Sequence, residues 1–308
     1  FHGSVSVLHG TNEHLSWAHT TGDLDLQDVY ELTMHPKKKN LYWFDGEWLS
    51  LETKRAKLRV GLGKKQGFKI TIKKKYWWSV YGPTFVTEHG TFAFRMPTLF
   101  EMNAGEQWYR MNKATNFTEF YQTLKIQGIV MQNITYADKN DTIFFIANGK
   151  VPKRDPNYDW SKVLPGDTST TLWTEYLKTE ELAQNLNPAC GYVFNTNNCI
   201  YNNTCRDYAN DPDLFPVSIG YDAHKQTNRG NRSKEILEGL SHIDYEGVKK
   251  LKFDMQFPDS MVFLKNYPIM GLFTLNPADY PDLSDIITKF NKWNFRGDST
   301  NMEAACVY

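Results

Sequence analysis

Cysteine is scarce: Cys190, Cys199, Cys205 and Cys306 are the four thiols of a 308-residue chain. None forms a CxxC pair and no histidine lies near the Cys190–Cys205 cluster in sequence, which argues against a zinc site. Two readings of the cluster stay open, a Cys199–Cys205 disulfide in an extracytoplasmic setting or three half-buried thiols. Long apolar runs are also missing. No stretch approaches the ~20 residues of a bilayer span, and no signal-peptide pattern is visible. Charge of one sign is not in excess, 35 basic residues standing against 35 acidic ones, so nothing global points to nucleic acid or an anionic membrane. Internal repeats and low-complexity tracts are absent. The glycine-rich Gly61–Gly67 stretch lacks a GK[ST] ending and no helical pattern follows it, so turns are expected there and not a phosphate cradle.

What is present is apolar and aromatic: 41% hydrophobic residues, 15% Phe, Trp and Tyr, enough for a large core. The first hundred residues read as β structure. Leu41–Leu49 carries the hairpin signal Asp45-Gly46. Phe68–Trp78 alternates, and ten Lys and Arg between Lys54 and Lys75 fit the wet face of an antiparallel sheet better than a nucleic-acid surface. Asn116–Leu124 predicts a helix: Asn116 can cap it, Glu119 completes a box-like pair, and Phe117, Phe120, Tyr121 and Leu124 share one face. Asn133–Phe145 predicts a hairpin turning at Lys139-Asn140-Asp141, and Gly149–Trp160 a Pro-rich loop. Ser233–Leu240 and Leu283–Trp293 predict amphipathic helices. Strands early and helices late suit an α+β layered fold. One domain over 1–308 is expected, strand-rich in 1–150, with a loop and an active-site strand in 151–215 and helices in 216–308.

The Gly191–Cys199 segment GYVFNTNNC breaks this pattern, because the β-formers Tyr192-Val193-Phe194 run directly into Asn195-Thr196-Asn197-Asn198. Asparagine is disfavoured in strands, since its amide competes with the backbone for hydrogen bonds. By itself the cluster reads as a turn.

The order of motifs resembles the penicillin acylase family of N-terminal-nucleophile hydrolases, which includes penicillin, cephalosporin and acyl-homoserine-lactone acylases. The matching residues run through almost the whole chain. They include Gly10-x-Asn12-x-x-x-Ser16-Trp17, Asp25-x-x-Asp28-x-Tyr30, Phe44-Asp45-Gly46-Glu47-Trp48, Glu88-His89-Gly90 and Gln132-Asn133 with Tyr136-Ala137-Asp138. Pro165-Gly166-Asp167, Asn187-Pro188, Asn195-x-Asn197-Asn198 and Arg232-x-x-Glu235 follow in order. The resemblance implies an αββα sandwich, two antiparallel sheets with helices outside. It further implies amide hydrolysis by a serine at the N-terminus of a self-processed large chain. The α-amino group of that serine ordinarily titrates at about 7.7–8.0 and can serve as base. Phe1 cannot attack, and Ser4 and Ser6 do not match, so the serine is expected upstream. Phe1–Gly10 reads as the middle of a strand and Asn301–Tyr308 as a helix cut short, which suggests a piece of a longer chain.

By the same resemblance, the side chain of Asn197 and the backbone N–H of Thr21 are the oxyanion donors, and Arg232 orients the catalytic centre. His9, His19 and Gln132 take positions that line the acyl pocket in relatives. Asp25, the Gln27 carbonyl, Asp28, the Trp160 carbonyl and Asp213 match the calcium ligands of members that bind Ca2+, which add a carboxylate from the small chain; no organic cofactor is implied. The implied partners are a small α chain of the same precursor and a small-molecule N-acyl substrate, such as an N-acyl-homoserine lactone or a β-lactam side chain, with no nucleic acid and no membrane span. The implied location is periplasmic or secreted. The competing reading is a catalytically inactive relative that binds an acylated ligand or a peptide.

Overall fold

The computed structural model describes residues 6–61, 69–220, 226–259, 261 and 269–304. The turns expected within 62–67, the start of the Phe1–Gly10 strand and Cys306 lie outside them. Residues 6–9 are bends, and the strand begins only at Gly10. Residues 302–303 are a turn and Ala304 has 3-10 character, and residues 305–308 of the Asn301–Tyr308 segment lie outside the described residues.

The strands in chain order are β1 (Gly10–Thr11), β2 (Leu15–Thr21), β3 (Asp28–Glu31), β4 (Leu41–Phe44), β5 (Glu47–Ser50), β6 (Glu52–Gly61), β7 (Lys69–Trp78), β8 (Pro83–Thr87), β9 (Gly90–Arg95), β10 (Gln132–Asp138), β11 (Ile143–Asn148), β12 (Leu164–Pro165) and β13 (Gln184–Leu186). The helices are α1 (Ala104–Lys113), α2 (Phe117–Leu124), α3 (Asn228–Glu238), α4 (Tyr245–Lys252) and α5 (Ser284–Lys292). One sheet has the order β1-β2-β10-β11-β13 and is antiparallel throughout. A second has the order β12-β3-β9-β8-β7-β6, with β12–β3 its parallel pair. The β4–β5 hairpin turns where expected: Asp45 and Gly46 both take positive φ, 46° and 89°, the combination that an Asp-Gly turn between twisted strands supplies.

The first sheet buries one face under α1 and α2. On β2 and β10 the buried alternates are Leu15 and Trp17, Ile134 and Tyr136; on the helices they are Met111, Phe120 and Leu124. Met111, Phe120 and Leu124 are fully buried, each contributing about 1.5–3 kcal/mol by removal from water. The predicted α2 cap is present, with Asn116 Oδ1 accepting from Glu119 N at 2.9 Å. Glu119 reaches back to the Thr115 N–H instead of to Asn116, at 2.8 Å. A separate cluster around Tyr30, Tyr42 and Tyr81 is the core of the second sheet.

The β6–β7 ribbon departs from a simple wet face. Its register puts Arg55 opposite Lys75 and Lys57 opposite Lys73 on the basic side. The alternate side pairs Leu58 with Ile72 and Val60 with Ile70, and it is also exposed, Leu58 by 47% and Ile72 by 44%.

The expected active-site strand in 151–215 is corrected here. Tyr192–Asn198 belongs to no strand, and only the short β12 and β13 lie in this region. The backbone of Tyr192 and Phe194 is instead satisfied locally: Phe194 N donates to Asn203 O at 2.9 Å and Thr204 Oγ1 to Tyr192 O at 2.8 Å. The cysteine pairing is also corrected. Cys190 and Cys205 form the disulfide, closing a separation of 15 residues. Cys199 is a thiol buried in the core cluster beside Ile200 and Tyr201, where it cannot reach Cys205 without emptying that core.

Candidate active site

The four residues Asn195–Asn198 divide two tasks between them. Asn195 is a brace. Its Oδ1 accepts from Thr20 Oγ1, from the Asn197 backbone N–H (3.0 Å) and from Asn133 Nδ2 (3.4 Å), while its Nδ2 donates to Asn203 Oδ1 at 2.8 Å. Asn198, only 2% exposed, is a second brace. Its Oδ1 accepts from Thr196 N (2.8 Å) and its Nδ2 donates to Asn202 O (2.7 Å). Asn203, fully buried, closes the web by donating to Ile200 O at 2.5 Å and to Cys199 O at 3.2 Å. Buried amides of this kind are stable only when nearly all their hydrogen bonds are made. Gly230 of α3 lets the helix close over the web: a Cβ there would stand 2.8 Å from Asn198 Cβ.

Asn197 is held differently. It sits at φ 60°, a left-handed conformation that asparagine tolerates better than most residues. Its half-buried side chain leaves the web and meets the end of β2, where Nδ2 donates to Thr21 O at 2.9 Å. Residues 176 positions apart in sequence are thereby in contact. An amide nitrogen carries two hydrogens, so one remains for a ligand. Arg229 Nη2 donates to Asn197 Oδ1 at 2.9 Å and fixes which way the amide faces. A cavity of about 510 Å³ lies beside this group, lined by Thr196, Asn228, Arg229 and Arg232 among others.

Arg232 lines the same cavity but does not reach Asn197. Its guanidinium is held by Asp254 Oδ2 (2.6 Å) and Glu235 Oε2 (3.3 Å). Arg229, one helical turn earlier, makes the contact with Asn197. Sequence reading missed Arg229, Asn133 and Asn203, and the last two had no local signal beyond being further amides. Asn133 also donates to Thr21 O, at 3.3 Å.

His9, His19 and Gln132 are neighbours in the fold. His19 Nδ1 stands 3.0 Å from His9 Nε2, and Trp108 Nε1 donates to His19 Nε2 at 3.2 Å. Because Trp108 can only donate, His19 Nε2 must be an acceptor, so neutral His19 carries its proton on Nδ1. Gln132 hydrogen-bonds His19 and lines a second cavity of about 260 Å³ with Trp108, Ile129 and Val130. Burial, and then the neighbouring His9, pull the His19 pKa below its ordinary 6.5. The folded state therefore favours neutral His19. Its contribution to stability is complete above pH ~6.5 and is lost as pH falls from there towards the lowered folded value. Thermal melts of the complete protein are expected to show a steeper Tm loss between pH 7 and 5 than melts of His19→Gln; parallel curves would contradict this assignment.

The Asp25–Asp28 loop contains a cation of its own. The side chain of Arg154 is fully buried. Its Nε meets Asp28 Oδ2 at 3.0 Å, Nη1 donates to Asp25 O at 3.0 Å, and Nη2 lies 3.3 Å from Asp25 Oδ1. Trp173 Nε1 donates to the same Asp28 oxygen at 2.7 Å. Burial raises the Asp28 pKa, opposed first by Arg154. Calcium needs six to eight oxygens. Here Asp28 Oδ2 and Asp25 O accept from the guanidinium and Asp25 Oδ1 lies 3.3 Å from it, while Asp28 Oδ1 is a buried oxygen with no hydrogen-bond partner among the described residues. Gln27 is exposed. The Trp160 ring faces Arg154, with the guanidinium carbon 5.5 Å from its centroid. Asp213 is exposed on the 3-10 turn Pro212–Leu214. Among the described residues no three His, Cys, Asp or Glu side chains converge for a metal. Among the described residues of this chain, the donor set does not fit a bound calcium ion.

An antiparallel α+β fold that delivers a side-chain amide to a strand end defines a class, and comparison with solved structures identifies it as the N-terminal-nucleophile hydrolase fold. A thermostable penicillin G acylase from Alcaligenes faecalis superposes with a TM-score of 0.73 at 21% identity, over 97% of this chain and 51% of that one. The sequence profile of the Penicillin amidase family matches residues 1–308, and the chain belongs to that family. It is 26% identical to penicillin G acylase of Escherichia coli over 196 residues, 62% of this chain and 22% of that protein. It is 25% identical to the acyl-homoserine lactone acylase PvdQ of Pseudomonas putida over 154 residues, 47% of this chain and 20% of that one. The matched region is thus about a fifth of each curated relative. No helix among the described residues is long and apolar enough to cross a membrane.

Proposed function

We propose that this chain supplies the oxyanion-binding half of an amide hydrolase that removes an acyl group from an N-acyl amine. The observation that carries the reading is the contact between Asn197 Nδ2 and Thr21 at the end of β2, beside an open cavity. Attack on an amide carbonyl places negative charge on its oxygen, and two fixed donors at that oxygen lower the barrier by about 3–4 kcal/mol each, as judged by deletion. Asn197 Nδ2 and the Thr21 N–H are those donors. Arg229 holds the amide in its donating orientation, while Arg232 is neutralised by Asp254 and Glu235. The nucleophile is a serine upstream of Phe1, its own amine acting as base. The acyl group enters towards His9, His19 and Gln132, whose polar side chains favour an acyl chain that carries a hydrogen-bonding group. The names of the relatives support N-acyl-homoserine lactones and penicillin-type side chains as substrates to try first. A small chain of the same precursor completes the site. The Cys190–Cys205 disulfide supports a periplasmic or secreted location.

The test is acid release from a panel of N-acyl amines by the complete processed protein. Turnover that disappears when the upstream serine becomes alanine supports the hydrolase. Binding of the same compounds without any release of acid would favour the inactive, ligand-binding relative.

A further inference from the structure

We infer that the Arg154 guanidinium is the resident cation of the Asp25–Asp28 loop, and that this protein holds the loop together without a divalent metal. The geometry is that of a built site. The guanidinium donates from Nε to Asp28 Oδ2 and from Nη1 to the Asp25 carbonyl, with Nη2 3.3 Å from Asp25 Oδ1 as an ion-pair contact, an arrangement for which a planar guanidinium is better suited than an ammonium. Trp160 covers the guanidinium and Trp173 braces its Asp28 partner.

Charge makes the same point. Among the described residues, Asp25, Asp28 and Arg154 sum to −1. Adding a dication would bring the sum to +1 and set two positive centres side by side with little water to screen them, where like-charge repulsion is strong. A metal and the inward Arg154 therefore exclude each other. The loop matters because it carries the chain from Thr21, at the end of β2, to β3. Besides the Arg154 contacts it is held by Asp25 N donating to Ile219 O at 3.0 Å. Arg154 holds the loop in this way whether or not the neighbouring site turns over a substrate.

The experiment uses the complete processed protein and reads thermal unfolding. Wild type is expected to melt at the same temperature, within about a degree, in EDTA and in millimolar CaCl2, because RT ln(1 + [L]/Kd) vanishes for an ion that does not bind. Arg154→Met, which fills the space without charge, is expected to lower Tm by roughly 10 °C, since it strands Asp28 in the interior. Arg154→Ala, which opens the space, is expected to recover part of that loss when millimolar guanidinium or calcium is added. Neither additive should raise the wild-type Tm. A wild-type Tm that falls in EDTA and returns with calcium would overturn the inference, and this arm needs no variant to fold. So would an Arg154→Met protein as stable as wild type, or an Arg154→Ala protein that responds to neither cation.

Discussion

Asn197→Gly in the complete enzyme is expected to lower kcat about 10²–10³-fold while KM changes by no more than about threefold. In the proposed mechanism the Asn197 amide serves the oxyanion, which exists only in the transition state and the intermediate. Glycine is the informative substitution, because Asn197 sits at φ 60° and glycine takes that conformation without strain. Asn197→Ala should show the same loss of kcat together with a lower Tm, the left-handed backbone costing about 1–2 kcal/mol for a residue with a Cβ. Steady-state kinetics and melting curves on both variants separate the amide from its backbone. A glycine variant retaining more than about a third of wild-type kcat would remove Asn197 from the reaction. Arg229→Met should reproduce part of the defect with Asn197 intact, because the amide loses the contact at 2.9 Å that fixes its orientation.

Reduction of the Cys190–Cys205 disulfide is the second large effect. Closing a loop of this separation, 15 residues, constrains the unfolded chain by about 3 kcal/mol. The asparagine web lies between the two cysteines, so the stability lost is local to the segment carrying Asn197. Cys205→Ser, or mild reductant, is expected to lower both Tm and kcat, with kcat falling before global unfolding begins. Cys199→Ala leaves the disulfide in place and is expected to cost only the small loss of packing around a buried thiol. Equal kcat in oxidised and reduced enzyme at a temperature well below both transitions would show that the web holds Asn197 unaided.

Sequence legibility followed the range of the interactions. The β4–β5 and β10–β11 hairpins and the α2 cap were readable because turn and capping chemistry acts over two to four residues. Helix α3 was found but begins at Asn228 with Thr227 as its cap, five residues before Ser233. Helices α1 and α4 were not read. Only Gln107 and Met111 of α1 are buried, and none of α4, so neither has an apolar stripe wide enough to announce itself. The Asn195–Asn198 loop was mistaken for a strand end because Tyr192-Val193-Phe194 has high β propensity. The hydrogen bonds to Asn203 and Thr204 that override it involve a later part of the loop. Arg154 read only as one residue of a Pro-rich loop, since its carboxylate partner Asp28 lies 126 positions away. Arg232 was singled out over Arg229 by motif register alone, and side-chain direction on α3 decides between them. Asn197, Thr21, His9, His19 and Gln132 were found through their place in an ordered family pattern, and no local propensity would have selected them.

The most direct test of the account is intact-mass spectrometry of the processed large chain after brief exposure to a reactive N-acyl substrate, followed by mapping of the modified residue. The account predicts a new N-terminus at a serine upstream of Phe1, one acyl mass on that serine, and slower acylation when Asn197 is glycine. An uncut precursor, or an acyl group carried by a residue elsewhere in the chain, would contradict it.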